Sequence, residues 1–168
     1  MFANMTSEQA IATLIEGSGK LTGIFGYWPT FHDAEIVELQ LWRGDVYPDT
    51  KKYVFPVLTV KLHVWELTSE VDTAGYLVLR KHTLTTLRFH DVLDLRIDGF
   101  NQQNSILELS IARKQNTEGP GRTFTVNFDP AFGMGAEFTC SRIEVVDAVA
   151  YSQDGITDGH RYPVDLSG

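Results

Sequence analysis

The stretch Val60-Lys61-Leu62-His63-Val64-Trp65 decides the fold class. Apolar residues stand at every second position, and Lys61, His63 and Trp65 fill the places between them. Successive side chains of an extended chain point to opposite faces, so this segment is a strand with one face in a core. The same period recurs to either side of it. Val37, Leu39 and Leu41 alternate with Glu38, Gln40 and Trp42. Leu93, Leu95 and Ile97 alternate with Asp94, Arg96 and Asp98. Leu107, Leu109 and Ile111 alternate with Glu108, Ser110 and Ala112, and Phe124, Val126 and Phe128 with Thr125 and Asn127. Parallel strands tend to be apolar on both faces, so this pattern points to antiparallel pairing.

Residues 76 to 90 supply one or two further strands. The stretch 136 to 146 supplies another, although Ile143 and Val145 are out of phase with Ala136, Phe138 and Cys140. A bulge near Ser141-Arg142 would account for that shift. Turn signals separate the runs at Arg43-Gly44-Asp45, at Asp98-Gly99 and in the loop from Asn116 to Gly121. About seven to nine strands are expected, and two packed layers of antiparallel sheet would bury their apolar faces. We therefore expect a mainly β, sandwich-like domain over residues 1 to 151, followed by a polar tail over 152 to 168.

The period is helical only near the start of the chain. Thr6 and Gln9 fit a capping box, Ile11, Leu14 and Ile15 fall on one helical face, and Gly17 would end the helix. This predicts one short helix over about residues 7 to 16.

The composition excludes several functions. The chain has 168 residues, 14 basic and 22 acidic, for a net charge of -8. Nucleic acids and anionic membranes are bound by clustered Lys and Arg, and the densest basic pairs here are Lys51-Lys52 and Arg80-Lys81. An acidic surface suits a basic protein partner instead. The lone Cys140 cannot form an internal disulfide, which fits a cytoplasmic setting. The first residues lack the basic segment and apolar run of a secretory signal. No apolar run approaches the ~20 residues needed to span a bilayer.

Three clusters carry candidate chemistry. Trp28-Pro29-Thr30-Phe31-His32-Asp33-Ala34-Glu35 places a histidine and two carboxylates within four positions. In an extended chain Asp33 and Glu35 share a face and His32 takes the other. With a further ligand these groups would suit a divalent cation, or a metal-dependent hydrolase built on His32, Asp33 and Glu35. The alternative is structural: Asp33 bonding amides in a turn after Pro29, His32 tethering the loop, and Glu35 solvated. Gly99-Phe100-Asn101-Gln102-Gln103-Asn104 is a hairpin loop or a polar recognition edge, with Asn104 structural and Gln102 or Gln103 pointing out. Trp28, Trp42 and Trp65 fall near or on polar strand faces. They are candidates for protein anchors, for a small-ligand β module, or for burial beneath another layer.

Other chemistry finds little support. His63, His82, His90 and His160 are dispersed and show no zinc-ligand spacing. There is no nucleophile elbow, P-loop or dinucleotide fingerprint. Phe132-Gly133-Met134-Gly135-Ala136 precedes a strand rather than a helix, so its glycines fit a tight turn. Cys140 shares its parity with Phe138 and fits a core position. No cofactor is expected.

Trp28 to Glu35, Phe89 to Asn104 and Phe132 to Cys140 together resemble the bacterial immunity protein 50 family, over roughly residues 21 to 146. The resemblance implies a mostly β protein that neutralises a toxin encoded beside it, without catalysis. It transfers no functional residues. From polarity and aromatic content we expect partner contacts at an exposed rim made by Trp28, His32, Glu35, Gln102 and Gln103.

Overall fold

The computed structural model of the protein describes residues 7–114 and 123–152. Its elements in chain order are α1 (Ser7–Ala12), α2 (Gly19–Phe25), β1 (Glu35–Trp42), β2 (Asp45–Tyr47), β3 (Lys52–Val54), β4 (Val57–Val71), β5 (Leu77–His90), β6 (Leu93–Asp98), β7 (Ile106–Lys114), β8 (Thr123–Pro130), β9 (Gly135–Cys140) and β10 (Arg142–Ala150). One four-stranded sheet has the order β1-β4-β5-β10, and a second has β6-β9-β8-β7. A two-stranded ribbon, β2-β3, is set apart from both. All the strand pairs are antiparallel.

Strand β4 follows the period read from its sequence. Leu58, Val60, Leu62 and Val64 are buried, while Thr59, Lys61, His63 and Trp65 are half-buried on the outer face. In β5 the inward positions are Thr83, Thr85, Leu87 and Phe89. Phe89 fastens the two sheets together. Its ring meets Phe138 of β9 edge-on at 5.0 Å and Phe128 of β8 at 6.0 Å. Burying each such side chain contributes about 1.5–3 kcal/mol, and edge-to-face pairs add a little more. One continuous apolar cluster takes side chains from both sheets and from both helices.

The sheets are joined at both edges. On one edge, β5 becomes β6 across Asp91-Val92, and β9 becomes β10 across Ser141. The Ser141 amide donates to the His90 carbonyl at 3.0 Å, and Asp91 takes a positive φ of 56°. Both strands therefore change sheet at one corner. The phase shift at Ser141-Arg142 marks that corner rather than a bulge within a single strand. On the other edge, the Ile36 amide donates to Asn104 and the Ile106 amide to Ala34, at 2.9 and 3.0 Å. The start of β1 thus pairs with the lead into β7, which belongs to the opposite sheet.

Several expectations are corrected. The helix from residue 7 stops at Ala12 rather than near residue 16. After it the chain turns so that Glu16 forms a parallel bridge with Glu144 of β10. A second helix, α2, was not expected. Leu21 and Phe25, one turn apart, bury its inner face, and Gly26 closes it in the left-handed conformation with φ 83°. The core face of β1 begins at Ile36 and not Val37. A bulge between Ile36 and Glu38 leaves Val37 42% exposed. The Asn116 to Gly121 loop, Thr6, His160 and the tail beyond Ser152 lie outside the described residues.

A candidate partner-binding face

The Trp28 to Glu35 segment runs from α2 to β1 and turns repeatedly. Phe31 and Asp33 adopt positive φ of 59° and 63°, a conformation that costs a non-glycine residue free energy. These reversals send Phe31, Ala34 and Ile36 into the core while His32 and Asp33 emerge. Trp28 does not stand on an exposed rim as expected, because only 5% of it is accessible. Its ring packs edge-on against Phe31 at 5.5 Å. Gln9 of α1 clamps its backbone, donating to the Trp28 carbonyl at 3.2 Å and accepting from the amide at 3.0 Å. Trp28 therefore supports the segment from beneath.

His32 is a tether with a free edge. Its Nδ1 lies 2.8 Å from the Leu107 carbonyl oxygen. A carbonyl can only accept, so Nδ1 carries the hydrogen. Nε2 faces solvent, 3.8 Å from the Asp33 carboxylate, and both side chains are more than half exposed. The turn after Pro29 is held by Thr30, whose hydroxyl oxygen accepts from the His32 amide at 3.3 Å. Glu35 is half-buried, opposite Ser105 on one side and His63 on the other.

Asn104 joins this segment to the rest of the face. Its side chain is 3% exposed and uses both ends of the amide. Nδ2 donates to the Asn101 carbonyl at 2.6 Å and to the Ile36 carbonyl at 3.3 Å. Oδ1 accepts from the Asn101 amide at 2.9 Å and from the Met134 amide at 3.2 Å. Two glycines allow the close approach. A Cβ on Gly99 would lie 2.6 Å from the Gly133 carbonyl oxygen, and one on Gly133 would lie 2.2 Å from that of Gln103. The loop that Asn104 ties down leaves Gln102 and Gln103 exposed, as expected. Phe100 is 53% exposed and Phe132 64%.

The other histidines and the Ser141 hydroxyl have partners of their own. His63 Nε2 lies 2.9 Å from His82 Nδ1, with Trp65 and Tyr151 packed on the His63 ring. Burial, and then the neighbouring imidazole, push the His63 pKa down to about 4. His90 Nε2 bonds Glu144 at 3.1 Å, which with Arg88 and Arg142 holds that carboxylate below its usual range. The Ser141 hydroxyl donates to Asp91, not to a histidine ring. Among the described residues, no three His, Cys, Asp or Glu side chains are grouped to hold a metal ion. The His63-His82 pair was not expected, because register between β4 and β5 is not written in either strand alone.

No described helix is long and apolar enough to cross a membrane. The architecture is thus that of a two-sheet antiparallel β domain whose marked segments are knitted into one face. The family model for immunity protein 50 matches residues 17–151, and the chain belongs to that family. No curated protein and no solved structure gives a significant match.

Proposed function

We propose that the protein binds a toxin domain encoded beside it and blocks that toxin by occupying its surface, without chemistry of its own. Family membership over residues 17–151 carries this reading. The net charge of -8 supports a basic partner, since opposite potentials raise association rates. The lone thiol, buried and unpaired at Cys140, fits action in the bacterial cytoplasm. His32, Gln102 and Gln103 are the proposed contact residues, with Glu35 at the margin and Trp28 in support from below.

The test is co-expression of the protein with the neighbouring toxin, together with binding of the purified pair. Rescue of growth and a stable complex are expected. A toxin that stays fully active and elutes apart from the protein would rule the reading out for that pair.

A further inference from the structure

Pairing in the second sheet lines up three carboxylates that the sequence keeps far apart. Asp98 of β6 is opposite Gly135 of β9, Gly135 is next to Ala136, which faces Phe128, and Glu108 of β7 is opposite Asp129 of β8. One register row therefore reads Asp98, Gly135, Asp129, Glu108. The neighbours Ala136 and Phe128 are buried, so the row points away from the core. Like charges directly opposite one another, as in Glu108 and Asp129, destabilise a sheet.

Among the described residues none of the three has an ion-pair partner. Several carboxylates elsewhere are paired, including Glu137 with Arg96 one row further along the same face of the second sheet. The first sheet shows it repeatedly. There Glu38 is paired with Lys61, Glu66 with Lys81, and Glu144 with His90 and Arg142. Exposed apolar side chains lie at the same end of this sheet as the row. Phe100 follows Asp98 by two positions, Leu107 precedes Glu108, and Phe132 leads into the Gly133 contact. A second exposed apolar patch, around Trp42, Tyr53 and Phe55, lies beside Arg43, Lys51 and Lys52 and so lacks this single sign of charge.

We infer that this end of the second sheet receives a lysine- and arginine-rich face of the toxin, with Phe100 and Phe132 as anchors and the Asp98-Asp129-Glu108 row supplying opposite charge. Aromatic residues are enriched in interface cores, and an unneutralised row of one sign steers a partner of the other sign. A row of one sign with no ion-pair partner among the described residues is what a basic partner would neutralise. The inference rests on the immunity reading and adds a surface to the contacts proposed above.

The test is calorimetric titration of the full-length protein with an inactivated form of the neighbouring toxin domain, at low and high salt. One variant neutralises the row (Asp98→Asn, Glu108→Gln, Asp129→Asn), and a second removes the anchors (Phe100→Ser, Phe132→Ser). A control alters two exposed tyrosines away from this surface, Tyr53 of β3 and Tyr76 just before β5 (Tyr53→Ser, Tyr76→Ser). Neutralising the row is expected to weaken binding at least ~10-fold, to flatten its salt dependence, and to leave the denaturation midpoint unchanged or raised. Removing the anchors is expected to weaken binding at least ~30-fold, with the control within about 2-fold of the unaltered protein. If the anchor variant does not fold, the row variant and its salt dependence decide alone. Binding that survives neutralisation of the row overturns this inference and leaves the immunity reading standing. Failure of the unaltered protein to bind overturns both.

Discussion

The Asn104 side chain donates to the Ile36 carbonyl across the edge where β1 meets the second sheet, 68 residues away in sequence. The same amide holds Asn101 and Met134, so one 3%-exposed residue ties two loops to the start of β1. Replacing it with alanine strands buried backbone donors and acceptors, each costing about 1–3 kcal/mol when unsatisfied. We expect Asn104→Ala to lower stability by roughly 3 kcal/mol and Asn104→Asp by at least as much, since the latter buries a charge and loses both donors. Urea denaturation of the variants against the unaltered protein measures it. A loss below about 1 kcal/mol would show that the loops hold without this residue.

Gly133 and Gly26 both adopt positive φ, at 72° and 83°, but only Gly133 is crowded. A methyl group on Gly133 would press on the Gln103 carbonyl and the Asn104 side chain, while nothing stands within 4 Å of one on Gly26. We expect Gly133→Ala to cost at least about 3 kcal/mol, from backbone strain plus displacement of the loop. Gly26→Ala should cost only about 1 kcal/mol, from the left-handed conformation alone. Equal losses in the two variants, read from denaturation midpoints, would refute the steric account.

How much of this was legible beforehand depends on the range of the interaction. The alternation in β4 is a local property of extended chain, so Val60, Leu62 and Val64 were readable as core. The burial of Cys140, a structural role for Asn104 and the exposure of Gln102 or Gln103 followed from parity and turn chemistry. Helix α2 was hidden because Gly19-Lys20-Leu21-Thr22-Gly23-Ile24-Phe25 has two weak helix formers. The spacing of Leu21 and Phe25 was the signal available. Trp28 was misplaced because its neighbours His32 and Asp33 are polar, and the positive φ values that separate it from them are set by tertiary packing. The Asp98-Asp129-Glu108 row comes from registers across four strands, and no single segment states a register.

Cys140 is 2% exposed, and burial, with the Asp91 carboxylate second, pushes its thiol up to about 12 from 9.0. The thiolate is the reactive form, so near pH 8 the folded protein should hold roughly a thousand-fold less of it than the unfolded chain. We expect a disulfide reagent to label the native protein at least ~100-fold more slowly than the protein in concentrated guanidinium. Comparable rates would mean that the second sheet opens readily around β9.

The His63-His82 contact makes stability depend on pH in a fixed direction. The folded His63 titrates at about 4, against 6.5 for a free histidine, because burial and then His82 disfavour its charged form. Between those values the unfolded chain binds a proton that the folded protein refuses, so stability rises with pH across the window and falls on acidification. Below about 4 both states are protonated and this loss is complete. Glu144 does not confuse the window, since its depressed carboxyl affects stability only below its ordinary value of 4.5. From about pH 7 to pH 5 the nominal loss is near 2 kcal/mol, which we halve to about 1 kcal/mol because the ring is only half-buried. His63→Gln, which keeps a donor for the His82 ring, should lose less stability over the same interval. Urea midpoints for both proteins at the two pH values test this, and an equal acid loss in the variant would assign the effect to another group.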